Sequence, residues 1–191
     1  TDGTEPDTGS TRYDQPISIK ENTVIKAVAI VNNVPSKIIT AEFSKMHDDW
    51  SIQLLTNYSS QYTGGGDMAL IDLLKGSEDF KTGSWQGYEG KDLIAIVDMG
   101  KIRGFKEISV GFLQDQNSWI FMPEYVDFYI SINNKDFIKT GSVKNDIPFD
   151  KDGSIIKSFK LKHHNKARYI KIVAKNRGVC PEGHKGEGNA A

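Results

Sequence analysis

The sequence predicts an all-β protein, and three observations carry that expectation. Short runs rich in β-branched and aromatic residues recur, most of them alternate with period two, and clusters of Asn, Asp, Gly and Ser separate them. The one rival for a helix is Asp67 to Lys75, where Ala69, Leu70, Leu73 and Leu74 have helical spacing before Gly76 stops the run. That allows a short helical turn at most.

The elements follow in chain order. TVIKAVAIV at 23–31 is β-branched and nearly all apolar, and SKIITAEF at 36–43 follows a short Asn-Asn-Val-Pro turn, so the two read as a hairpin-like pair. Two strands are marginal alone in water, so residues 1–43 read as the back half of a small β-sandwich whose opening strands are missing. A second region over 44–191 opens with WSIQLLT at 50–56 and passes through a polar stretch containing Gly64-Gly65-Gly66, read as a long ordered loop. Strands are then expected at 93–99, 108–113, 125–131, 154–162 and 167–175. In the last, Tyr169, Lys171 and Val173 face one way while Ile170, Ile172 and Ala174 face the other, as a half-buried antiparallel strand requires. Asn133-Asn134-Lys135-Asp136 and Asp150-Lys151-Asp152-Gly153 are dense in residues that tolerate self-capped or left-handed turns. A sandwich or barrel of short strands fits this pattern.

Composition narrows the function classes. With 24 Lys plus Arg against 25 Asp plus Glu, the summed field does not favour a polyanion, so nucleic acid is not an expected partner. Leu93 to Val97, a clean apolar run that none exceeds in length, is far shorter than the about 20 residues a membrane-spanning helix needs, so no membrane span is expected. Cys180 is the single cysteine, which rules out an intrachain disulfide. The opening residues lack the basic, apolar and small-residue regions of a signal peptide, so the chain reads as starting inside a larger protein.

Most motif-like stretches have an ordinary explanation. No Gly-Lys-Ser/Thr follows Gly64-Gly65-Gly66, so it is a tight loop and not a phosphate cradle. Asp150-Lys151-Asp152-Gly153 fails as a calcium-binding EF-hand, because its first and twelfth positions would be Pro148 and Phe159. His47, His163, His164 and His184 have no cysteine partners at zinc spacing. Glu78-Asp79 lies in a loop with no strand to present it, which favours a solvated turn over catalysis.

Two stretches together resemble a known tandem. TDGTEPDTGSTRYDQPISIKENTVIKAVAI at 1–30, with DGTEP as its best marker, resembles the second half of the small β-sandwich repeat found after the barrel of chitobiase-like hexosaminidases. Residues 44–191 resemble a discoidin, or coagulation factor V/VIII C-type, domain of the branch that includes family-thirty-two carbohydrate-binding modules, with a galactose-binding-domain-like jelly-roll sandwich. The stretches that carry this are 58–101 with its GGG and WQGY motifs, GFLQDQNSWIFMPEYVDFYIS at 111–131, and AKNRGVCPEGHKGEGNAA at 174–191. The order of the two is that of bacterial family-twenty glycoside hydrolases, the β-N-acetylhexosaminidases. The resemblance implies a Trp-containing final strand that is expected to be missing here, since the chain stops at Ala191.

The resemblance implies a non-catalytic, sugar-facing accessory region of a secreted, periplasmic or cell-surface bacterial enzyme, whose catalytic barrel would be its partner. The barrel's acidic pair cannot fit in this chain, so no catalytic residue is expected. Sugar recognition needs an aromatic face against a pyranose ring and fixed polar groups around it. The loops 114–119 and 176–178 fall where the resemblance places ligand loops, which selects Asn117, Trp119 and Arg177 for a galactose- or N-acetylhexosamine-type glycan. Trp119 also begins an apolar run, Trp119 to Met122, that could simply enter the next strand. Trp85 and Tyr88 are further candidates, with Trp85 expected beneath its loop as core. Asp72 and Thr82 match the resemblance's loop for a structural calcium ion, although Leu73 stands where that loop often has Gly and a final acidic ligand is absent. Two other functions compete: a structural appendage packed on the catalytic barrel, and a lipid-facing adhesion module using Trp119 to Met122.

Overall fold

The structure, a computed structural model, describes residues 4–191, so Asp2 and Gly3 of the DGTEP marker lie outside the described residues. The chain divides into two compact units, Thr1–His47 and Asp48–Ala191.

The first unit is a broken hairpin. Strands β1 (Thr23–Ala27), β2 (Ile30–Val31), β3 (Val34–Pro35) and β4 (Ile39–Phe43) form two antiparallel ladders, β1 with β4 and β2 with β3. Asn32 and Asn33 both have positive φ, 51° and 63°, which is the backbone of a two-residue hairpin turn whose twist matches its strands. Asn fills both places because its short polar side chain tolerates the left-handed region. Val34 and Pro35, expected in the turn, already belong to the returning strand. The single run expected at 23–31 is interrupted at Val28 and Ala29, where Ser36 bridges the gap: its N–H donates to the Ala29 carbonyl at 2.8 Å and its Oγ accepts from the Ala29 N–H at 3.0 Å. None of the described residues 4–47 is buried.

The second unit holds the core. Strands β5 (Ser51–Leu54), β6 (Leu93–Asp115), β7 (Tyr125–Ser131), β8 (Ile138–Lys144) and β9 (Ser154–Ala174) pair antiparallel in the order β5-β6-β9-β7-β8. Segments expected as separate strands, 93–99 with 108–113 and 154–162 with 167–175, each run on as one long strand. Register shifts between Asp98 and Arg103 and between Phe105 and Glu107 bend this pair without ending it, as β-bulges do. Gly100 makes the first bend possible: its φ is 74°, and a Cβ there would stand 2.6 Å from the Asp49 carbonyl oxygen.

The bend creates the sandwich. Leu93, Val126, Phe128 and Ala174 come from one end of the long pair and its neighbour β7, whereas Ile108 and Phe159 come from the other end. All six share one buried cluster with Met122. Phe159 stacks edge-on against Phe112 with ring centroids 5.3 Å apart. Buried Gln114 is tolerated because its amide donates to the Pro148 carbonyl at 2.8 Å and its Oε1 accepts from the Met122 N–H at 3.4 Å. A second cluster of Ile71, Val97, Met99 and Ala167 packs beneath Trp50 and Ile52. Among the described residues, regular structure outside the strands is limited to 3-10 turns at Asp67–Leu70, Phe80–Thr82 and Gln116–Ser118, so the helical spacing at 67–75 yields only a turn. Among the described residues no helix is long and apolar enough to cross a membrane.

Candidate functional site

Three loops of the second unit, 58–90, 115–123 and 176–191, border one cleft of about 880 Å³. That volume lies within the roughly 300–1,000 Å³ usual for small-molecule sites. Its apolar wall comes from strands, including Leu93 and Ala95 of β6 and Ile172 of β9, and its polar groups include Gln86, Tyr88, Asn176 and Arg177. Trp85 and Trp119 also line it.

Trp119 is held in place by the chain on both sides of it. It closes the 3-10 turn at Gln116–Ser118 in the left-handed region, φ 63°, with its N–H donating to the Gln116 carbonyl at 3.1 Å. One side of the indole lies directly on Gly186, where an added Cβ would be 2.6 Å from Trp119 Cε2. Only glycine permits that approach. The residue still keeps 42% of its surface exposed, so Trp119 does not enter the strand core as its apolar run allowed. It is a backed aromatic at a loop tip.

Arg177 is half-buried, with its guanidinium 5.3 Å over the Phe149 ring. Its Nε is buried without a hydrogen-bond partner, and among the described residues no carboxylate pairs with it. A cation held on an aromatic face and left with unused donors is suited to reading hydroxyl or carboxylate oxygens. Its neighbour Asn176 is committed to structure instead: Nδ2 donates to the Tyr88 and Ala191 carbonyls at 2.7 and 3.0 Å, and the backbone N–H donates to Asp92 at 2.9 Å. Asn117 does not line the cleft, and its Oδ1 accepts from Lys185 Nζ at 3.3 Å. The structure thus brings Trp119 and Arg177 to one cleft and turns Asn117 toward the neighbouring loop.

Trp85 serves its own loop. Its indole N–H donates to the Ser77 carbonyl at 2.8 Å, and a Cβ on Gly76 would stand 2.2 Å from the ring. The Tyr88 hydroxyl donates to Gln86 Oε1 at 3.0 Å, and Gln86 Nε2 donates to the Gly66 carbonyl at 2.8 Å, which ties the Gly-rich loop to the cleft wall. Burial pushes the Tyr88 phenol well above its ordinary range, with Tyr58 and Asp67 adding to the effect, so it stays protonated as a donor.

The loop over 72–82 carries the two calcium candidates. Asp72 Oδ1 accepts from the Leu74 N–H at 2.8 Å. Thr82 Oγ1 donates to the Asp79 carbonyl at 2.9 Å and lies 3.2 Å from Ser77 Oγ. These are hard oxygen donors of the kind a calcium ion takes, but the loop's own hydrogen bonds do not join Asp72 to Thr82. Among the described residues no three His, Cys, Asp or Glu side chains form a metal-binding group. Leu73 adopts φ 65°, so the loop keeps a left-handed residue where the sequence supplies no glycine. Glu78 and Asp79 are exposed, and the Asp79 carboxylate caps the 3-10 turn by accepting from the Lys81 N–H at 3.0 Å. That is the solvated turn expected of them.

Gly186 and His184 do not line the cleft but support Trp119 and its turn, a role that was not expected of them. His184 Nε2 lies 2.8 Å from the Gln116 carbonyl, and its ring packs edge-on against Phe121 at 5.2 Å. Glycine spacing in the 178–188 stretch was visible in the sequence, but which aromatic would lie on it was not.

The family profile described as Fn3 associated matches residues 1–43. No curated protein matches the chain. Among solved structures, the chain is similar to a CBM32 module from Clostridium perfringens in complex with GalNAc-β-1,3-galactose, at 16% identity and TM-score 0.44, covering 76% of this chain and 91% of that one. It is similar to the C-terminal domain of a chitobiase from Bacteroides fragilis, at 22% identity and TM-score 0.42, covering 77% and 90%. A family 32 carbohydrate-binding module from Clostridium perfringens NanJ in complex with galactose matches at 15% identity and TM-score 0.42, covering 76% and 89%.

Proposed function

We propose that the second unit binds a terminal galactose- or N-acetylhexosamine-type sugar in the cleft, with Trp119 stacking on the pyranose ring and Arg177 donating to its oxygens. The observation that carries this is Trp119 itself: a left-handed loop-tip tryptophan backed by a glycine, with 42% of its surface exposed, lining the same cleft as Arg177, whose Nε has no hydrogen-bond partner. Stacking an amphipathic sugar face on an indole while fixed donors satisfy the hydroxyls is the chemistry such a pair supplies. The test is calorimetric titration of the chain with galactose and N-acetylgalactosamine. Binding that falls at least tenfold in both Trp119→Ala and Arg177→Ala supports the reading. Equal affinity in the variants sinks it.

The wider reading is that this chain is an accessory region of a β-N-acetylhexosaminidase acting outside the cytoplasm, holding the enzyme near its glycans by linked binding. The order of the two units, with the sequence motifs at 1–30 and 58–101, supports it. A structural role in packing against a catalytic barrel is the second reading, favoured by Val24, Val31, Val34 and Ile39, apolar residues exposed on the first unit.

A structural calcium ion in the loop over 72–82 is also part of this proposal, with the Asp72 carboxylate and Thr82 hydroxyl as first donors. Melting the chain with excess calcium and again with chelator tests it. Calcium should raise Tm by several degrees, and coincident curves would remove the ion from the account.

A further inference from the structure

His184 makes two contacts that together specify its tautomer. Nε2 faces the Gln116 carbonyl at 2.8 Å, and a carbonyl oxygen only accepts, so Nε2 carries a hydrogen. Nδ1 accepts from the Gly186 N–H at 3.1 Å, so Nδ1 carries none. Both bonds exist together only for the neutral, Nε2-protonated ring. The first bond ties the 181–187 loop to the turn that ends in Trp119, and the second holds the backbone of Gly186, the buried residue on which the Trp119 indole rests.

We infer that His184 is the positioning residue for Trp119 and that its protonation releases the aromatic platform, so that sugar binding weakens as pH falls. This inference rests on the sugar-binding reading above. Protonation puts a hydrogen on Nδ1 facing the Gly186 N–H, donor against donor. The buried amide then loses its acceptor, and Gly186 must move from beneath the indole. An imidazole is suited to this because its charge changes between about pH 5 and 8.

The charged groups nearby are Glu182, Lys185 and Glu187 on its own loop, with Asp115 beside the facing turn and Asp152 bonded to Gln116 Nε2 at 2.9 Å. Glu187 Oε2 accepts from the Gly183 N–H at 2.8 Å, Lys185 donates to Asn117, and Asp115 Oδ2 accepts from Ser118 Oγ at 2.9 Å. Among the described residues no carboxylate pairs with the imidazole, so none is placed to hold the charged ring against the Gly186 amide. The loop does not depend on His184 alone, because the Gly188 N–H donates to the Cys180 carbonyl at 3.1 Å and Asn189 Nδ2 donates to the Gly186 carbonyl at 3.0 Å. The release is therefore local.

The experiment follows three readouts on the full chain from pH 8 to pH 5. They are the His184 ring signals by NMR, acrylamide quenching of Trp119 taken as the difference from Trp119→Phe, and the Kd for N-acetylgalactosamine. Quenching should rise as the pH falls while affinity falls on the order of tenfold, the scale of one bond lost to a buried donor. His184→Gln, whose amide can both donate to Gln116 and accept from Gly186, should remove the pH dependence of both. A His184 titration that leaves Trp119 quenching unchanged, or an unaltered pH profile in His184→Gln, would overturn the inference. If no sugar binds at any pH while quenching still tracks His184, the positioning role stands and the sugar-binding reading fails.

Discussion

Leu73, Trp119 and Asn134 are described non-glycine residues of the second unit with left-handed backbones, and their situations differ. Asn134 sits in a turn where Asn133 Oδ1 accepts from the Lys135 and Asp136 N–H groups, both at 3.0 Å, which is ordinary turn chemistry. Trp119 is held in its conformation by the turn behind it and Gly186 beneath it. Leu73 is 43% exposed, so little burial repays its conformation, which costs on the order of 1–2 kcal/mol for a residue with a Cβ. Leu73→Gly should therefore stabilise the chain by up to about 1 kcal/mol, the remainder going to glycine's greater freedom when unfolded. Urea unfolding checks the sign, and a destabilised variant would show that Leu73 contributes packing that outweighs the strain. Leu73 stands out in the sequence as a residue in an unexpected place. Gly186 and His184 do not, because their roles depend on a contact between two loops that no local pattern encodes.

At the scale of elements, the long β6–β9 pair organises the second unit, and its bend is fixed by ionic contacts. Arg168 donates to both oxygens of Asp98, at 2.8 and 3.0 Å, and Arg103 donates to Asp49 at 2.5 Å. The Arg168 guanidinium, aided by the Gly100 N–H, holds the Asp98 carboxyl below the usual carboxylate range despite opposing desolvation. A carboxyl whose folded pKa is depressed contributes stability that is present above its unfolded value, about 3.9, and lost as pH falls through the folded one. Asp98→Asn should therefore lower stability at neutral pH and flatten the loss of stability below about pH 4. An acid limb identical to that of the parent chain in denaturant titrations would contradict the assignment.

The alternation in ARYIKIVAK and LIAIVDM made these strands legible, since Ile170, Ile172 and Ala174 do pack against the core. Their continuation was not legible. The expected strands end at Met99 and Lys162 and resume at Ile108 and Ala167, whereas the structure uses the residues between them for bulges within paired strands. Strand β8 left too faint a pattern, because Gly141 packs on Leu161 where a side chain would collide, and a register shift between Phe128 and Tyr129 breaks its alternation.

At the scale of the whole molecule, the two units differ in what holds them. The second buries Phe128 and Phe159 completely, and truncating either to Ala would cost about 3–5 kcal/mol on the usual scale for core aromatics. The first has no buried residue among those described and keeps its shape through two short ladders, an ion pair between Lys26 and Glu5, and a bond from the Lys45 N–H to Asn22 Oδ1 at 2.7 Å. Hydrogen exchange should accordingly show amides of 23–43 exchanging near the rate of open chain, while those of 126–130 and 170–174 exchange only on global unfolding. Equal protection in both units would mean that the first is held by more than these ladders and contacts.

The all-β class was legible because alternation and turn chemistry are local, whereas the loops 114–119 and 176–178 were selected by resemblance. The cleft is a property of three loops meeting, and only the folded chain displays it. The proposed sugar site is tested most directly by the indole signals of the three tryptophans in an NMR titration with N-acetylgalactosamine. The Trp119 Nε1–H resonance should shift progressively and saturate, that of Trp85, tied to the Ser77 carbonyl, should move less, and that of Trp50 should stay fixed. A Trp119 signal that does not move at saturating sugar would contradict the account.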